Sequence, residues 1–365
     1  MKAAVWYGKK DVRVEDVLEP PAPGPEEVKI KVHWCGICGS DLHEYLAGPI
    51  FIPVESPHPL TGKTAPLILG HEFSGEVVEV GEGVTNVKIG DRVSPDACRY
   101  CGTCFMCKQN RYSVCEKSAF TGLMADGAFA EYVNVPAYTL YKLLPEISSE
   151  AGALIEPIAV GVHAIRRGHV LVGDTVAIVG TGTIGLVSLQ AARAAGASKV
   201  FCLEMARARG PVEMARARKE ARKEFAKKLG ATAVVDPTET DAVEEVRRLT
   251  GGLGVDVAIE CVGGEETASL AIQLTRRGGK TVIVGIFEKP SQLHFNELVF
   301  NEKEVVGSLA YYGEFATTIA LLADGRLVAE PLITGKIKLD DIVEKGFEEL
   351  VARKGSNIKI LVSPG

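Results

Sequence analysis

The alternation of hydrophobic and polar positions divides the chain into parts with different patterns. Up to about residue 155, apolar and polar residues alternate with a period of two, as at 28–32 and more loosely at 76–80, and Gly- and Pro-rich turns separate these stretches. Such alternation is typical of β-strands with one buried face. Residues 1–7 lack the apolar core of a signal peptide and read as a strand. We therefore expect a β-rich, irregular first part.

From about residue 160, short apolar runs alternate with helical stretches. The runs predict strands at 175–179, 200–203, 233–235, 255–260 and 281–284. The Ala-rich stretch 184–195 and the highly charged stretch 216–229 predict helices. Strands separated by helices indicate a parallel sheet that is covered on both faces. After about residue 300 the pattern is mixed again, and it ends in a strand-like run at 358–362.

Composition and charge exclude several classes of protein. With 365 residues, 46% hydrophobic and 24% charged, the chain has ordinary globular values and room for about two domains. It contains no run of apolar residues long enough to span a membrane. A net charge of −6 and a pI of about 5.8 disfavour nucleic acid or an anionic membrane as partner. We expect a cytoplasmic protein with a small-molecule substrate.

A glycine-rich turn at 180–185 (GTGTIG) has the form G-x-G-x-x-G, follows an apolar strand and precedes a helix. In this context the first glycine permits a tight turn, the second lets a pyrophosphate approach the backbone, and the third lets helix and strand pack closely. A glycine turn without a ligand is the alternative. The residues expected to contact a dinucleotide are Gly180, Gly182, Thr183, Ile184 and Gly185.

The segment after the next strand bears on the choice of cofactor. Glu204 ends that strand, where a carboxylate can bind the adenosine ribose hydroxyls and repel a 2′-phosphate, which favours NAD over NADP. Arg209 is a further cofactor-binding candidate. Together with Arg207 it weakens the preference, because arginine suits phosphate. The hexapeptide EMARAR at 204–209 recurs at 213–218, and this repeat is too short and isolated for a solenoid.

The nine cysteines are distributed unevenly, and five of them lie between Cys98 and Cys115. The spacing Cys101-x2-Cys104-x2-Cys107-x7-Cys115 places four thiols in one short segment, which suits a closed, structural zinc site. Cys98 offers a second register with Cys101 and Cys104. A disulfide framework is disfavoured in a chain that is neither small nor visibly secreted.

A second group of candidates is dispersed along the chain. A catalytic zinc ion needs about three protein ligands and an open position, and the residue types are suitable. Spacing alone does not unite them, however, and Cys35 competes with Cys38. A core thiol among ordinary polar residues is the alternative interpretation. The candidates are Cys38, Ser40, His43, His71, Glu72 and Glu156.

Three motifs, at 36–43 (GICGSDLH), 70–75 (GHEFSG) and 90–93 (GDRV), precede the four-cysteine segment and the glycine-rich turn. In this order they resemble the zinc-dependent medium-chain dehydrogenase/reductase family over essentially the whole chain. The resemblance implies an α/β protein in which a GroES-like β-rich catalytic domain is joined to a Rossmann domain with a doubly wound parallel sheet.

The same resemblance implies domain limits. Residues 1–157 would form the first part of the catalytic domain, with a zinc lobe at 98–115. Residues 158–300 would form the NAD-binding Rossmann domain, and 301–365 would return to complete the catalytic domain. A homodimer or homotetramer is also implied.

The resemblance further assigns roles to individual residues. Cys38, His71 and Glu156 would ligate a catalytic zinc ion, with Glu72 beside it as a candidate exchanging ligand. Ser40 and His43 would relay the substrate proton. The structural zinc ion would be held by four thiols, those of Cys101, Cys104, Cys107 and Cys115. Cys98 would lie outside this set.

Loops at 43–53, 58–62, 285–290 and 306–311 are most similar to family members that act on vicinal diols. This implies reversible hydride transfer between 2,3-butanediol or acetoin and NAD. Polyol (sorbitol-type) and threonine dehydrogenases share the zinc motifs but are less similar in these loops. A departure from the family is the longer connection after Glu204, which contains the repeat.

Two other interpretations account for fewer of these features. A zinc-binding interaction module with a vestigial nucleotide fold would leave Cys38, His71 and the turn at 180–185 without a purpose. A zinc-free quinone reductase of the same fold would lack both the four-cysteine segment and the Cys38/His71 pair.

Overall fold

The computed structural model describes residues 1–205, 212–352 and 357–365, with only the helical backbone described at 212–218. It divides by internal contacts into two compact units. Unit 1 comprises Met1–Glu156, Phe315–Ala323 and Ala329–Gly365, and unit 2 comprises Pro157–Glu314 and Asp324–Val328. The domain limits at 157/158 and 300/301 stay a prediction.

The regular elements follow one another along the chain as strands, helices and a few tight turns. The strands are β1 (Lys2–Gly8), β2 (Asp11–Asp16), β3 (Glu27–Gly36), β4 (Leu67–Ile68), β5 (Glu72–Val80), β6 (Arg92–Pro95), β7 (Cys98–Arg99), β8 (Ala119–Phe120), β9 (Tyr132–Pro136), β10 (Leu140–Lys142), β11 (Thr175–Val179), β12 (Lys199–Leu203), β13 (Ala233–Val235), β14 (Val255–Glu260), β15 (Thr275–Ile283), β16 (Glu304–Gly307), β17 (Ile333–Lys338) and β18 (Lys359–Ser363). The α-helices are α1 (Gly39–Ala47), α2 (Phe105–Lys108), α3 (Ser149–Ala153), α4 (Ile155–Gly168), α5 (Thr183–Ala194), α6 (Val212–Lys228), α7 (Ala242–Leu249), α8 (Glu265–Leu274), α9 (Phe295–Val299), α10 (Glu314–Ala323) and α11 (Glu349–Ala352). A π-helical segment, Ile342–Glu348, precedes α11.

Unit 1 is built on a mainly antiparallel sheet in the order β10-β6-β5-β3-β18-β17, with β9 also paired to β3. A smaller sheet has the order β2-β1-β4, and β7 pairs with β8. Apolar side chains such as Ile30, Phe73 and Phe347 are fully buried in the core of this unit. In the central strands, Gly36 of β3 lies opposite both Glu72 of β5 and Leu361 of β18. This register brings three distant parts of the sequence to one end of β3.

Unit 2 contains a six-stranded sheet in the order β13-β12-β11-β14-β15-β16, and every strand pair in it is parallel. The predicted parallel sheet is therefore confirmed. Its central strands are mainly apolar, because helices cover both faces. In β11, the run Val176, Ala177, Ile178 and Val179 is fully buried. Strand β15 begins earlier than predicted, and β16 lies beyond the predicted set. The described residues form no helix that is both long and apolar enough to cross a membrane.

Candidate functional site

The four-cysteine segment folds into a compact lobe. The Sγ atoms of Cys101, Cys104, Cys107 and Cys115 all lie within 4.8 Å of one another. The Sγ of Cys115 is 3.5 Å from that of Cys101 and 3.9 Å from that of Cys104. A tetrahedral zinc ion with Zn–S bonds of about 2.3 Å requires sulfurs about 3.8 Å apart, so the spacing fits zinc and is far too long for a disulfide.

The lobe surrounds its sulfurs with backbone donors. Hydrogen bonds from the backbone N–H groups, that of Thr103 first, lower the pKa of Cys101 to about 6. Burial instead raises the pKa of Cys107 to about 12. Zinc binding must therefore displace protons from part of the set. Cys98 is buried in β7 and is not in this donor group among the described residues.

A second donor group lies in unit 1, where Cys38, His71 and Glu72 each offer a ligand atom and these atoms lie within 4.8 Å of one another. Cys38 follows β3 and immediately precedes α1, while His71 and Glu72 stand at the start of β5. The pairing of β3 with β5 brings them together. The mixture of thiol, imidazole and carboxylate suits zinc, and the protein supplies few enough donors to leave a position for substrate.

Asp41 connects two members of this group. Its Oδ2 atom accepts a hydrogen bond of 2.8 Å from the backbone N–H of Cys38, which caps helix α1. Its Oδ1 atom lies 3.5 Å from Nδ1 of His71. The carboxylate is fully buried beside the imidazole, in the position that carboxylate partners of metal-binding histidines take. Burial lowers the pKa of His71, but Asp41 and Cys38 outweigh it and raise that pKa well above its ordinary value.

Lys359 forms a buried ion pair with Glu72. Its Nζ atom lies 2.8 Å and 2.6 Å from the two carboxylate oxygens of Glu72, and it also donates to the carbonyl of Ile37 at 2.9 Å. Both side chains are almost completely buried. Burial lowers the pKa of Lys359, but Glu72 and Cys38 outweigh it and raise that pKa above its ordinary value. The lysine therefore stays charged and compensates the negative donors. The sequence did not predict this residue.

The other predicted residues of this centre are placed as follows. The hydroxyl of Ser40 lies 3.2 Å from Nε2 of His71. His43 is half-buried one turn further along α1, on the same face as Ser40. Glu156 is buried, and its charge contributes to the raised pKa of Lys359. The structure brings Glu72, rather than Glu156, into the donor group of described residues, so the identity of a third zinc ligand stays a proposal.

Cys35, the competitor of Cys38, is less suited to this donor group. It is fully buried within β3 opposite Phe73 and lies outside the donor group of described residues. Burial raises the pKa of its thiol well above the ordinary value. Geometry therefore favours Cys38 over Cys35 as the thiol of this group.

The glycine-rich turn has the geometry of a phosphate cradle. Gly180 has a φ of +96°, which favours glycine. A Cβ atom on Gly185 would lie 1.8 Å from the carbonyl oxygen of Gly180, so only glycine permits this packing. A Cβ on Gly182, at the start of α5, would meet nothing within 4 Å. Open space thus faces the helix N-terminus, whose N–H groups include those of Thr183 and Ile184, and a pyrophosphate fits there.

Glu204 is held beside this turn. Its Oε2 atom accepts hydrogen bonds from the backbone N–H (2.9 Å) and the hydroxyl (2.5 Å) of Thr181. Its Oε1 atom lies 3.3 Å from Nη1 of Arg222. The carboxylate stands at the carboxyl end of β12, where a ribose-binding acid belongs, but an arginine already offsets part of its charge. Arg209 lies outside the described residues.

The loop after α1 is fixed by Glu44. This carboxylate is fully buried and accepts hydrogen bonds from the backbone N–H groups of Ile50, Phe51 and Ile52, at 2.5 to 3.3 Å. The loop is therefore attached to the helix that carries Ser40 and His43. Ile52 packs into the core of unit 1.

Two known family models match this chain, one in each unit for most of its length. The family model described as "Alcohol dehydrogenase GroES-like domain" matches residues 24–146, and the one described as "Zinc-binding dehydrogenase" matches residues 183–324. These matches, with the parallel sheet of unit 2, confirm the predicted fold class.

The chain is similar throughout its length to characterised dehydrogenases. It is 46% identical over 366 residues to (R,R)-butanediol dehydrogenase of Bacillus subtilis, with 100% of both chains covered. The crystal structure of 2R,3R-butanediol dehydrogenase from that organism superposes with a TM-score of 0.90, covering 100% of this chain and 99% of the other. Sorbitol dehydrogenase of B. subtilis is 35% identical, with 100% and 97% covered.

A solved structure described as a zinc-binding dehydrogenase, from Sinorhizobium meliloti and bound to NADP, is 32% identical. The superposition has a TM-score of 0.86 and covers 100% of this chain and 99% of the chain in that structure.

Proposed function

The chain belongs to the zinc-dependent medium-chain dehydrogenase/reductase family, and we propose that it interconverts 2,3-butanediol and acetoin with NAD. It is an alcohol dehydrogenase that uses zinc and a nicotinamide cofactor. The observation that carries the substrate assignment is the identity of 46% over the full length to a butanediol dehydrogenase, against 35% to a sorbitol dehydrogenase. The interpretation as an interaction module is set aside, because it gives the donor group and the glycine cradle no role.

We assign two zinc sites to the two donor groups. Cys101, Cys104, Cys107 and Cys115 would form the structural site. Cys38 and His71 would hold the catalytic ion, with Glu156 as a third ligand and Glu72 as the exchanging one. When bound, that ion would supply Lewis acidity that lowers the pKa of the substrate hydroxyl, and the nicotinamide would supply the hydride acceptor.

The residues of the chain supply orientation and proton transfer. Asp41 fixes the ring of His71 and caps the helix that follows Cys38, so the two ligands share one anchor. The hydroxyl of Ser40 accepts the proton from the alcohol and passes one on to His43, which exchanges it with solvent. In alcohol oxidation the carbinol C–H bond breaks with its electron pair, and the hydroxyl proton leaves by this path.

The pairing of Glu72 with Lys359 bears on the open position. Because both carboxylate oxygens of Glu72 bond to the lysine, the carboxylate must give up part of that bonding to reach an ion. The lysine would therefore restrain Glu72 and leave the position open for the alcohol oxygen.

A vicinal diol offers two hydroxyl groups. One would bind the metal, and the second would bond a polar group nearby. A site built to bond a hydroxyl strongly rejects an analogue that lacks it, because its own polar group is left unpaired. The loop at 49–53, held by Glu44, is mainly apolar and suits the methyl ends of butanediol better than the hydroxyl-rich tail of a hexitol.

A rate panel tests the assignment. We expect 2,3-butanediol and acetoin to give the highest kcat/KM, and 2-butanol to fall about 10²-fold or more below the diol. The panel should use both nicotinamide cofactors and include the butanediol stereoisomers, sorbitol, glycerol and threonine. A higher kcat/KM with sorbitol would replace the diol assignment with a polyol one. An equal value for 2-butanol would show that the second hydroxyl is not recognised.

We propose NAD as the preferred cofactor, because the buried carboxylate of Glu204 stands where a 2′-phosphate would lie. The ion pair with Arg222 reduces that repulsion, so the preference should be moderate. Glu204→Gln should lower the ratio of kcat/KM with NAD to kcat/KM with NADP. An equal or better kcat/KM with NADP in the unaltered protein would refute the proposal.

We also propose a cytoplasmic homo-oligomer, either a homodimer or a homotetramer. Strand β16 is an edge strand of the unit 2 sheet, and large apolar side chains near it in sequence, including Phe295, Phe300 and Leu309, are more than half exposed. Reduced cysteines, which both zinc sites need, suit the cytoplasm. Light scattering coupled to gel filtration tests the assembly, and a monomer at micromolar concentration would contradict it.

A further inference from the structure

A cavity of about 620 Å³ lies in unit 2, on the side of the sheet away from the glycine-rich turn. Its lining includes Leu253, which precedes β14, Thr275 at the start of β15, and Lys303, which precedes β16. These are the amino ends of three neighbouring parallel strands, whereas the glycine-rich turn follows the carboxyl end of β11. Because strands of this length rise about 15–20 Å, the cavity is separate from the proposed cofactor site.

Charge distinguishes this cavity from the rest of the molecule. Its lining contains the cations Arg247, Arg276, Arg277 and Lys303 but one carboxylate, that of Glu297. The chain as a whole carries a net charge of −6, so a cluster of cations here is not a reflection of overall composition.

The lysine and the carboxylate neutralise each other. Nζ of Lys303 lies 2.8 Å from Oε1 of Glu297 and donates to the carbonyl of Ile272 at 2.7 Å. The lysine side chain is almost fully buried. This pair forms a fixed part of the wall, and the three arginines remain to bind a ligand.

Protein groups occupy only part of the hydrogen-bonding capacity of the three guanidinium groups. Arg276 donates from Nε to Asp256 at 2.7 Å and from Nη1 to the carbonyl of Arg277 at 2.8 Å, which fixes its guanidinium. Arg247 makes a 3.3 Å contact with the exposed Glu244. The guanidinium of Arg277 forms no hydrogen bond or ion pair with any residue that the structure describes.

We propose that this cavity binds a small phosphate monoester through Arg247, Arg276 and Arg277. Guanidinium groups match the oxygens of a phosphate with paired, charge-assisted hydrogen bonds. The volume lies in the range of small-molecule sites and exceeds what one phosphate group needs. Leu253, whose side chain is largely exposed, offers apolar contact to an organic portion of the ligand.

Binding can be measured by calorimetry and by the shift in Tm, with glycerol 3-phosphate and inorganic phosphate as probes and sodium chloride at equal ionic strength as the blank. The protein should be saturated with NAD, so that phosphate does not enter the glycine-rich turn. We expect both phosphates to raise the Tm by a few degrees at concentrations well above Kd. Arg277→Gln should weaken Kd about tenfold or more.

Arg248→Gln is the matched control. Arg248 neighbours Arg247 on α7, is exposed, pairs with Glu245 and does not line the cavity. The Arg248→Gln substitution removes the same charge as Arg277→Gln, so this variant should bind both phosphates with the Kd of the unaltered protein. Equal weakening in both variants, or a Tm shift no larger than that with chloride, would overturn the proposal. Since no measurement uses turnover, the result is independent of the substrate assignment.

Discussion

The two donor groups of unit 1 are built in opposite ways. The four sulfurs of the lobe come from a single short segment, 101–115, whose regular structure is limited to the short helix α2 and one 3-10 turn. The donors of the second group come from the ends of different strands, with the charge-balancing lysine 287 residues away from Glu72. With so little regular structure, the lobe is expected to depend on a bound metal ion for its shape. The second group is shaped by the sheet and would keep its geometry without one.

The two groups also differ in what balances the charge of their donor atoms. In the lobe, backbone N–H groups donate hydrogen bonds to the sulfurs and stabilise their negative charge, as the N–H of Thr103 does for Cys101. The second group has a buried cation, Lys359, and a buried carboxylate, Asp41, that lies beside His71. A site that performs chemistry needs its ligands held while one position exchanges, whereas a structural site needs only to be closed. The comparison predicts different responses to substitution.

The largest effect is expected from Cys38→Ala. Loss of this ligand should lower kcat by about 10³-fold or more, because the Lewis acidity is lost, while the sheet keeps its register. Zinc content measured by elemental analysis should fall from two ions to one per chain, and the Tm should change little. Full activity with one zinc ion would contradict the two-site assignment.

Cys104→Ala should have the converse effect. A closed zinc site contributes its binding free energy to folding, so the Tm should fall by about 10 °C or more. Turnover per folded molecule should change much less than in Cys38→Ala. If this variant lost activity with an unaltered Tm, the lobe would not be the structural site.

Lys359→Met should leave the charge of Glu72 buried without a partner. We expect a loss of about 3–5 kcal/mol in the free energy of unfolding. Lys336→Met is the matched control: it lies on the neighbouring strand β17, pairs with Glu150 at the surface and should cost less than about 1 kcal/mol. Adding Glu72→Gln to Lys359→Met should recover part of the loss. Equal costs for the two lysines, measured by denaturant unfolding, would show that the buried pair is not special.

His43→Ala should produce the smallest effect. Without the relay, alcohol oxidation should slow by about 10²-fold, and small exogenous bases such as imidazole should restore part of the rate. The zinc content and the Tm should stay as in the unaltered protein. An unchanged rate and pH profile would show that water carries the proton without this residue.

The sequence predicts some parts of this molecule better than others. The buried parallel strands were predictable, because each is a continuous apolar run bounded by turns, as at Thr175–Val179. Strand β16 was not, since an edge strand of four residues, two exposed and two half-buried, gives little contrast with its surroundings. The four-cysteine group could be expected from spacing, because all its donors lie close together in the chain.

The second site depended on long-range pairing that spacing does not reveal. Cys38, His71 and Glu72 were candidates only through their types and the family resemblance. Lys359, between Ile358 and Ile360, follows the alternation of a strand with its polar face in water, and only the pairing of β18 with β3 places it in the interior. Asp41 was predictable, because an acid three residues after Cys38, at a helix start, is typical of a cap.

The late position of β18 in the chain has a consequence for synthesis of unit 1, because this strand pairs with β3 and carries Lys359. Ribosomes add about 5–20 residues per second, so Lys359 follows Glu72 by roughly 15–60 s. During that interval Glu72 and Asp41 are present without the buried cation, and the end of β3 to which β18 pairs is still an open edge. The second donor group therefore acquires its buried cation only after the last residues of the chain have been made.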